Sequence, residues 1–156
     1  LYVAHLFSNI LGGGMSSRLF QNIRENRGLA YSVFSFSSNY KDTGIFGIYS
    51  ATSSDKVNEY SEAVANEILN CEKNISVQEI MKAKKQLKAG LLMSSESPMA
   101  RMNQIARQIS IYGRIIDINE TLERIDAIKK DNIINFISDT FKSEKLTSLL
   151  TYIPSI

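Results

Sequence analysis

Apolar residues recur at spacings of three and four over residues 1–11, where Val3, Leu6, Phe7 and Ile10 share one side of a helix. Gly12, Gly13 and Gly14 stop it. Ser16 reads as the N-cap of a second helix, with Met15 and Phe20 as its hydrophobic staple and Leu19, Phe20 and Ile23 as its apolar face. Gly28 is placed to be the left-handed residue beyond its end. From Ala30 the period changes from about 3.6 to about 2, with Phe34 and Phe36 on one face and Tyr31 and Val33 on the other. After the turn signal Lys41-Asp42-Thr43-Gly44, a second run of this kind covers residues 45–52. The two runs predict an antiparallel hairpin.

Helical spacing then returns. Asp55 opens a helix with Val57, Tyr60, Val64 and Ile68 on one face, ending near Cys71. Ser76 and Glu79 form a capping box inside an Ile75–Ile80 staple, predicting a helix over residues 76–93. Ser97-Pro98 starts the next, with Met99, Met102, Ile105 and Ile109 inward and Gly113 as its stop. Shorter helical patterns follow over residues 122–128 and 132–141, and residues 146–153 read as a strand. Many helices with a hairpin and a last strand do not alternate as a doubly wound sheet would. They predict a single α+β domain over residues 1–156, a two-layer sandwich with helices on one face of a mostly antiparallel sheet. Three strands make a thin layer, and the apolar pattern begins uncapped at Leu1, so a further strand is expected before the start of a fragment or processed chain.

Composition then narrows the chemistry. A chain of 156 residues with 44% hydrophobic and 22% charged residues supports one core. Its net charge of +2 comes from scattered residues, which leaves out the basic footprint of a nucleic-acid binder. With one cysteine (Cys71) and one histidine (His5), no intramolecular disulfide and no Cys- or His-rich zinc site can be assembled from this chain. No apolar run approaches the roughly 20 residues of a membrane span, and no signal-peptide layout is visible. Abundant isoleucine, asparagine and lysine fit an AT-rich bacterial genome, and the expected location is the cytoplasm.

Four motifs carry candidate chemistry. The run Gly12-Gly13-Gly14 ahead of a helix offers backbone N–H groups to an anion, but it lacks the P-loop lysine and follows a helix, so a flexible turn exposed to a peptide is the better reading. Arg24 near a helix end and Tyr31 at the start of the hairpin are brought to one rim by the Gly28 turn. Taken singly, each has an ordinary structural explanation as a dipole partner or a packing ring. Arg18 and Arg27 are further cations on the same helix, and spacing does not rank them. Lys82, Lys84, Lys85 and Lys88 read as a solvated face, and Met81, Met93, Met99 and Met102 as core fillers.

Residues 11–20, Leu-Gly-Gly-Gly-Met-Ser-Ser-Arg-Leu-Phe, continuing through Arg24-Glu25-Asn26-Arg27-Gly28-Leu29-Ala30-Tyr31-Ser32-Val33, resemble the carboxyl-terminal half of the pitrilysin-type zinc peptidases. That group includes insulin-degrading enzyme, the mitochondrial processing peptidase subunits and their bacterial relatives, the last being the nearest in pattern. The resemblance runs almost unbroken from Leu11 to Thr52 and continues beyond it in the order of elements. It implies two related α+β halves closing on a peptide, with zinc held by the amino-terminal half through H-x-x-E-H and a later glutamate. This chain contains no H-x-x-E-H, so the resemblance implies the non-catalytic, substrate-binding half, with no cofactor of its own and zinc expected in the other half.

The family's arginine and tyrosine, seven positions apart and facing the zinc, match Arg24 and Tyr31. Their implied role is to donate to the scissile carbonyl oxygen as it gains charge, each worth about 3 kcal/mol. Gly12, Gly13 and Gly14 are implied to handle substrate. The implied partners are a zinc-bearing domain or subunit and a peptide substrate, with no nucleic acid and no membrane span, in an arrangement open to homo- or heterodimers. A structural subunit related to the core proteins of respiratory complexes is the alternative from a different class. An unrelated helical interaction module would need the glycine and Arg/Tyr match to be coincidence.

Overall fold

In the computed structural model, which describes residues 1–40 and 42–151, helix α1 (Tyr2–Gly12) forms the centre of the core. Its predicted apolar stripe is the reason: Leu6, Phe7 and Leu11 are wholly buried and Ile10 nearly so. Phe7 gathers three other rings around itself, with centroids 5.2 Å away for Phe46, 5.9 Å for Phe136 and 6.0 Å for Phe141. Burial of one such side chain contributes about 1.5–3 kcal/mol. One residue of the first helix therefore ties the hairpin to the segment holding Phe136 and Phe141.

Strands β1 (Ser32–Asn39) and β2 (Gly44–Ala51) pair antiparallel, with Phe34 opposite Tyr49, Ser35 opposite Ile48, Phe36 opposite Gly47 and Ser37 opposite Phe46. The alternation read from the sequence appears as two faces. Val33 and Ser35 are buried and Phe46 and Ile48 pack on the core, whereas Phe34, Phe36 and Tyr49 look outward. Serine at 35 lets α1 lie close on β1: its hydroxyl donates to the Ser8 carbonyl at 2.8 Å. The same close approach explains Gly12, because a Cβ there would collide with the Ser35 backbone nitrogen. In the turn, Tyr40 N–H donates to the Thr43 carbonyl at 2.8 Å. Lys41 of the predicted turn signal lies outside the described residues.

Five helices complete the layer: α2 (Val57–Asn74), α3 (Val77–Ser95), α4 (Pro98–Tyr112), α5 (Ile118–Asp126) and α6 (Lys130–Thr140). The capping box at the start of α3 is complete, with Glu79 N–H donating to Ser76 Oγ at 3.2 Å and Ser76 N–H donating to the Glu79 carboxylate at 2.9 Å. Ile75 and Ile80 are both buried beside it. Ser97 caps α4 and Gly113 ends it in a left-handed conformation, as the sequence predicts. Tyr60, Val64 and Ile68 of α2 pack on the shared core. The architecture is the predicted α+β arrangement, helices against one face of an antiparallel hairpin.

Three expectations need correction. Ser16 does not cap the second helix, and Met15 is 76% exposed, so no Met15–Phe20 staple forms. The turn runs on to Ser17, whose hydroxyl donates to the Gly14 carbonyl at 2.6 Å, and the helix starts at Arg18. The methionines are not core fillers: Met81, Met93, Met99 and Met102 are 53%, 72%, 64% and 56% exposed, and Ile109 is exposed with them. Among the described residues α4 packs chiefly on α3, so its apolar stripe has no second layer to face. The residue α4 buries is Gln108, whose side-chain oxygen accepts from Ile116 N–H at 3.0 Å. Finally, residues 146–151 form no strand, and Leu149 and Leu150 are exposed. A strand is made by a neighbouring edge, and β1 and β2 pair only with each other among the described residues. The remainder of that prediction, residues 152 and 153, lies outside the described residues.

Candidate functional site

The second helix is π-helical over Phe20–Asn26. A wider turn of this kind is uncommon and tends to occur where a fold needs an unusual side-chain placement. Gly28, at φ +57°, ends it in the left-handed region that a residue with a Cβ seldom adopts. Leu29 N–H then donates to the Ile23 carbonyl at 2.9 Å and Gly28 N–H to the Arg24 carbonyl at 3.1 Å. These bonds are nested as in a Schellman closure, with one more residue in each ring, as the π geometry requires. The chain reverses at Gly28 and returns at once as Tyr31 and β1.

Spacing does not rank the three arginines of this helix, but their contacts do. Arg18 is committed: Nε donates to Glu79 Oε1 at 2.6 Å, Nη2 to Glu79 Oε2 at 2.9 Å and Nη1 to Asn74 Oδ1 at 2.8 Å. It pins the helix to the start of α3. Arg27 is exposed and donates through Nε to Asn22 Oδ1 at 3.2 Å. Arg24 differs from both. Its guanidinium carbon lies 4.6 Å from the centre of the Phe20 ring and 4.8 Å from that of Tyr31. Glu25 Oε1 forms an ion pair with Nε at 3.5 Å, and neither terminal nitrogen donates a hydrogen bond among the described residues. The Gly28 turn thus brings Arg24 and Tyr31 together as the sequence predicts. Tyr31 is 82% exposed, so its ring lies on the cation while its hydroxyl stands in solvent.

The arrangement offers a permanent charge with unspent forked donors and a neutral O–H donor, side by side on an open rim. Such a pair suits an oxygen that gains negative charge. Phe20 is the member that sequence reasoning assigned to another task. Its spacing of four from Arg24 is the signal that marks the pair, since residues so placed on a helix are neighbours. Glu79 carried no such signal toward Arg18, since 61 residues separate them.

The glycine turn divides in two. Gly12 is buried against β1, while Gly13 and Gly14 are exposed. Of the lysines, Lys84 donates to the Asp126 and Ile128 carbonyls at 2.8 and 2.7 Å and Lys88 pairs with Asp126, so these two close the end of α5. Lys82 and Lys85 are solvated.

The described residues do not fit a zinc ion. Among the described residues, no three His, Cys, Asp or Glu side chains come together as a metal site. Burial pushes the Cys71 thiol up to about 11, so it is neither thiolate nor nucleophile near neutral pH. His5 is half-buried with its Nδ1 2.9 Å from the Ser37 hydroxyl, and burial, with Arg107 nearby, lowers its pKa.

Comparison with known proteins places these features in a family. The family described as "Peptidase M16 inactive domain" matches residues 1–87, the stretch holding α1, the π-helix, the hairpin and α2. A Rickettsia felis protein named "Uncharacterized zinc protease" is 39% identical over 150 residues, covering 96% of this chain and 36% of that protein. An Arabidopsis thaliana protein named as a probable mitochondrial-processing peptidase subunit beta is 34% identical over 125 residues, covering 79% of this chain and 23% of that one. A crystal structure of a peptidase M16 inactive domain from Pseudomonas fluorescens shares the fold, with a TM-score of 0.76 at 24% identity over 92% of this chain and 35% of that chain. The chain therefore spans little more than a third of the length of the first of these relatives. It belongs to the peptidase M16 inactive domain family.

Proposed function

We propose that this chain is the non-catalytic, substrate-binding half of a zinc metalloendopeptidase, acting with a zinc-bearing domain or subunit that it does not itself contain. The observation that carries the reading is the guanidinium of Arg24, 4.8 Å from the centre of the Tyr31 ring on an exposed rim, whose terminal nitrogens donate to no partner among the described residues. Hydrolytic attack on a peptide carbonyl moves charge onto its oxygen. Donors already in place for that charge favour the transition state over the bound substrate. Arg24 supplies charge and two terminal NH2 groups, and Tyr31 supplies an O–H on a stiff ring. The exposed Gly13 and Gly14 fit a turn that a peptide passes, and the outward aromatic face of Phe34, Phe36 and Tyr49 offers apolar surface to its side chains.

Replacing Arg24 by Ala, or Tyr31 by Phe, in the complete peptidase is expected to lower kcat by roughly 10²- to 10³-fold each, with KM changed far less. Steady-state kinetics on a quenched fluorescent peptide, with circular dichroism to check the fold, reads this directly. Folded variants that turn over at the parent rate would remove both residues from the mechanism.

A further inference from the structure

Among the described residues the terminal nitrogens of Arg24 donate to no partner, and the way the side chain is held involves a residue outside the Arg/Tyr pair. We infer that Phe20 is a positioning residue for Arg24: its ring fixes the plane and direction of the guanidinium while leaving the N–H edge free. The inference rests on the proposed role of Arg24 and goes one step beyond it.

The physical case starts from how a guanidinium can be immobilised. A carboxylate does so by accepting its forked N–H groups, as Glu79 does for Arg18, and this spends the donors and offsets the charge. Aromatic rings do so through the flat faces of the cation, and its N–H bonds, which lie in the guanidinium plane, stay available. Arg24 has a ring centre at 4.6 Å and another at 4.8 Å from Cζ. The two rings are not equivalent. Tyr31 lies beyond the Gly28 reversal and is 82% exposed, so it is the freer of the two rings. Phe20 belongs to the same π-helix as Arg24, four residues earlier, and its backbone is fixed by that helix. Phe20 therefore provides the stiff surface, and Tyr31 meets the cation from beyond the Gly28 turn.

A competitor stands ready if that surface is lost. Glu25 Oε1 is already 3.5 Å from Arg24 Nε. Without the Phe20 face, the arginine is free to turn further onto this neighbour, which would occupy its donors and screen its charge. The loss expected is one of alignment, so it falls on turnover and not on substrate affinity.

The test is a double-mutant cycle in the complete peptidase. Phe20→Leu, which keeps apolar bulk and removes the ring face, is expected to lower kcat about tenfold with KM within about twofold. Phe20→Tyr, which keeps the face, should recover most of that loss. In an Arg24→Ala background, Phe20→Leu should change kcat less than about twofold, because the residue acts through Arg24. A readout independent of turnover is the Arg24 Nε–Hε resonance in arginine-labelled protein, which the ring current of Phe20 displaces and Phe20→Leu should return toward the position of a free arginine. An unmoved resonance, a loss in KM instead of kcat, or an equal loss with Arg24 already removed would each overturn the inference. If Arg24→Ala lowers kcat and Phe20→Leu does not, only the role of Phe20 falls. If Arg24→Ala itself is silent, the reading of Arg24 falls and that of Phe20 with it, whatever the resonance shows of the stack.

Discussion

Glu79 shows how much one side chain carries in this fold. Burial alone would push its carboxyl up, but the Arg18 guanidinium and the Ser76 N–H and hydroxyl outweigh it and hold the pKa at about 2, against an ordinary 4.5. A carboxyl whose pKa is lower folded than unfolded contributes stability above the unfolded value and loses it as the pH falls through the folded one. The window here is from about 4.5 down to about 2. The side chain is 32% exposed, so solvent screening reduces the effect, and about 1–2 kcal/mol is expected. Glu79→Gln should therefore lower the urea midpoint at neutral pH, and the variant should lose less stability than the parent between pH 4.5 and pH 2. Identical acid limbs for the two proteins would show that the Arg18 pair adds nothing. The capping half of this role is legible in the local pattern Ser76-x-x-Glu79. The Arg18 half is not, because no short-range rule links residues 18 and 79.

At the scale of elements, two glycines separate what packing requires from what it only tolerates. Gly12 ends α1 where the helix touches β1, and an added methyl would meet backbone atoms of Ser35 and Phe34, which cannot give way as a side-chain tip can. Gly12→Ala should cost about 1–3 kcal/mol, the usual penalty for overpacking. Gly90 lies inside α3, and a Cβ there meets nothing within 4 Å. Gly90→Ala should stabilise by about 0.5–1 kcal/mol, since alanine loses less chain freedom in a helix. Chemical denaturation of the two variants checks both signs, and a Gly12→Ala protein as stable as its parent would contradict the contact. Elements with strong local signals appear where the sequence predicts them: α1 by its stripe, α3 by its capping box, α4 by Ser97-Pro98 and Gly113, and the hairpin by its alternation. The failures share a cause. The π-helix start, the outward methionines of α4 and the absent strand over residues 146–151 each depend on what lies beside the segment.

For the whole molecule, the notable fact is how little of the relatives' length this chain represents, 36% of the Rickettsia felis protein. A domain whose Cys71 is buried, whose His5 is engaged with Ser37 and whose described residues gather no three metal-ligating side chains is expected, on its own, to retain no zinc after dialysis and to cleave no peptide. Stoichiometric metal by atomic emission, or turnover above buffer, would refute the division of labour proposed here. The hydrophobic periodicity, caps and glycines were enough by themselves to determine the α+β class, the hairpin and the pairing of Arg24 with Tyr31 across one turn, because each rests on interactions within a few residues. Three matters were decided only by tertiary structure: which arginine keeps its donors, which apolar faces find a partner, and why Gly12 must be glycine. Each turns on groups far apart in sequence, such as Arg18 with Glu79 or Gly12 with Ser35, whose meeting is a property of the packed core.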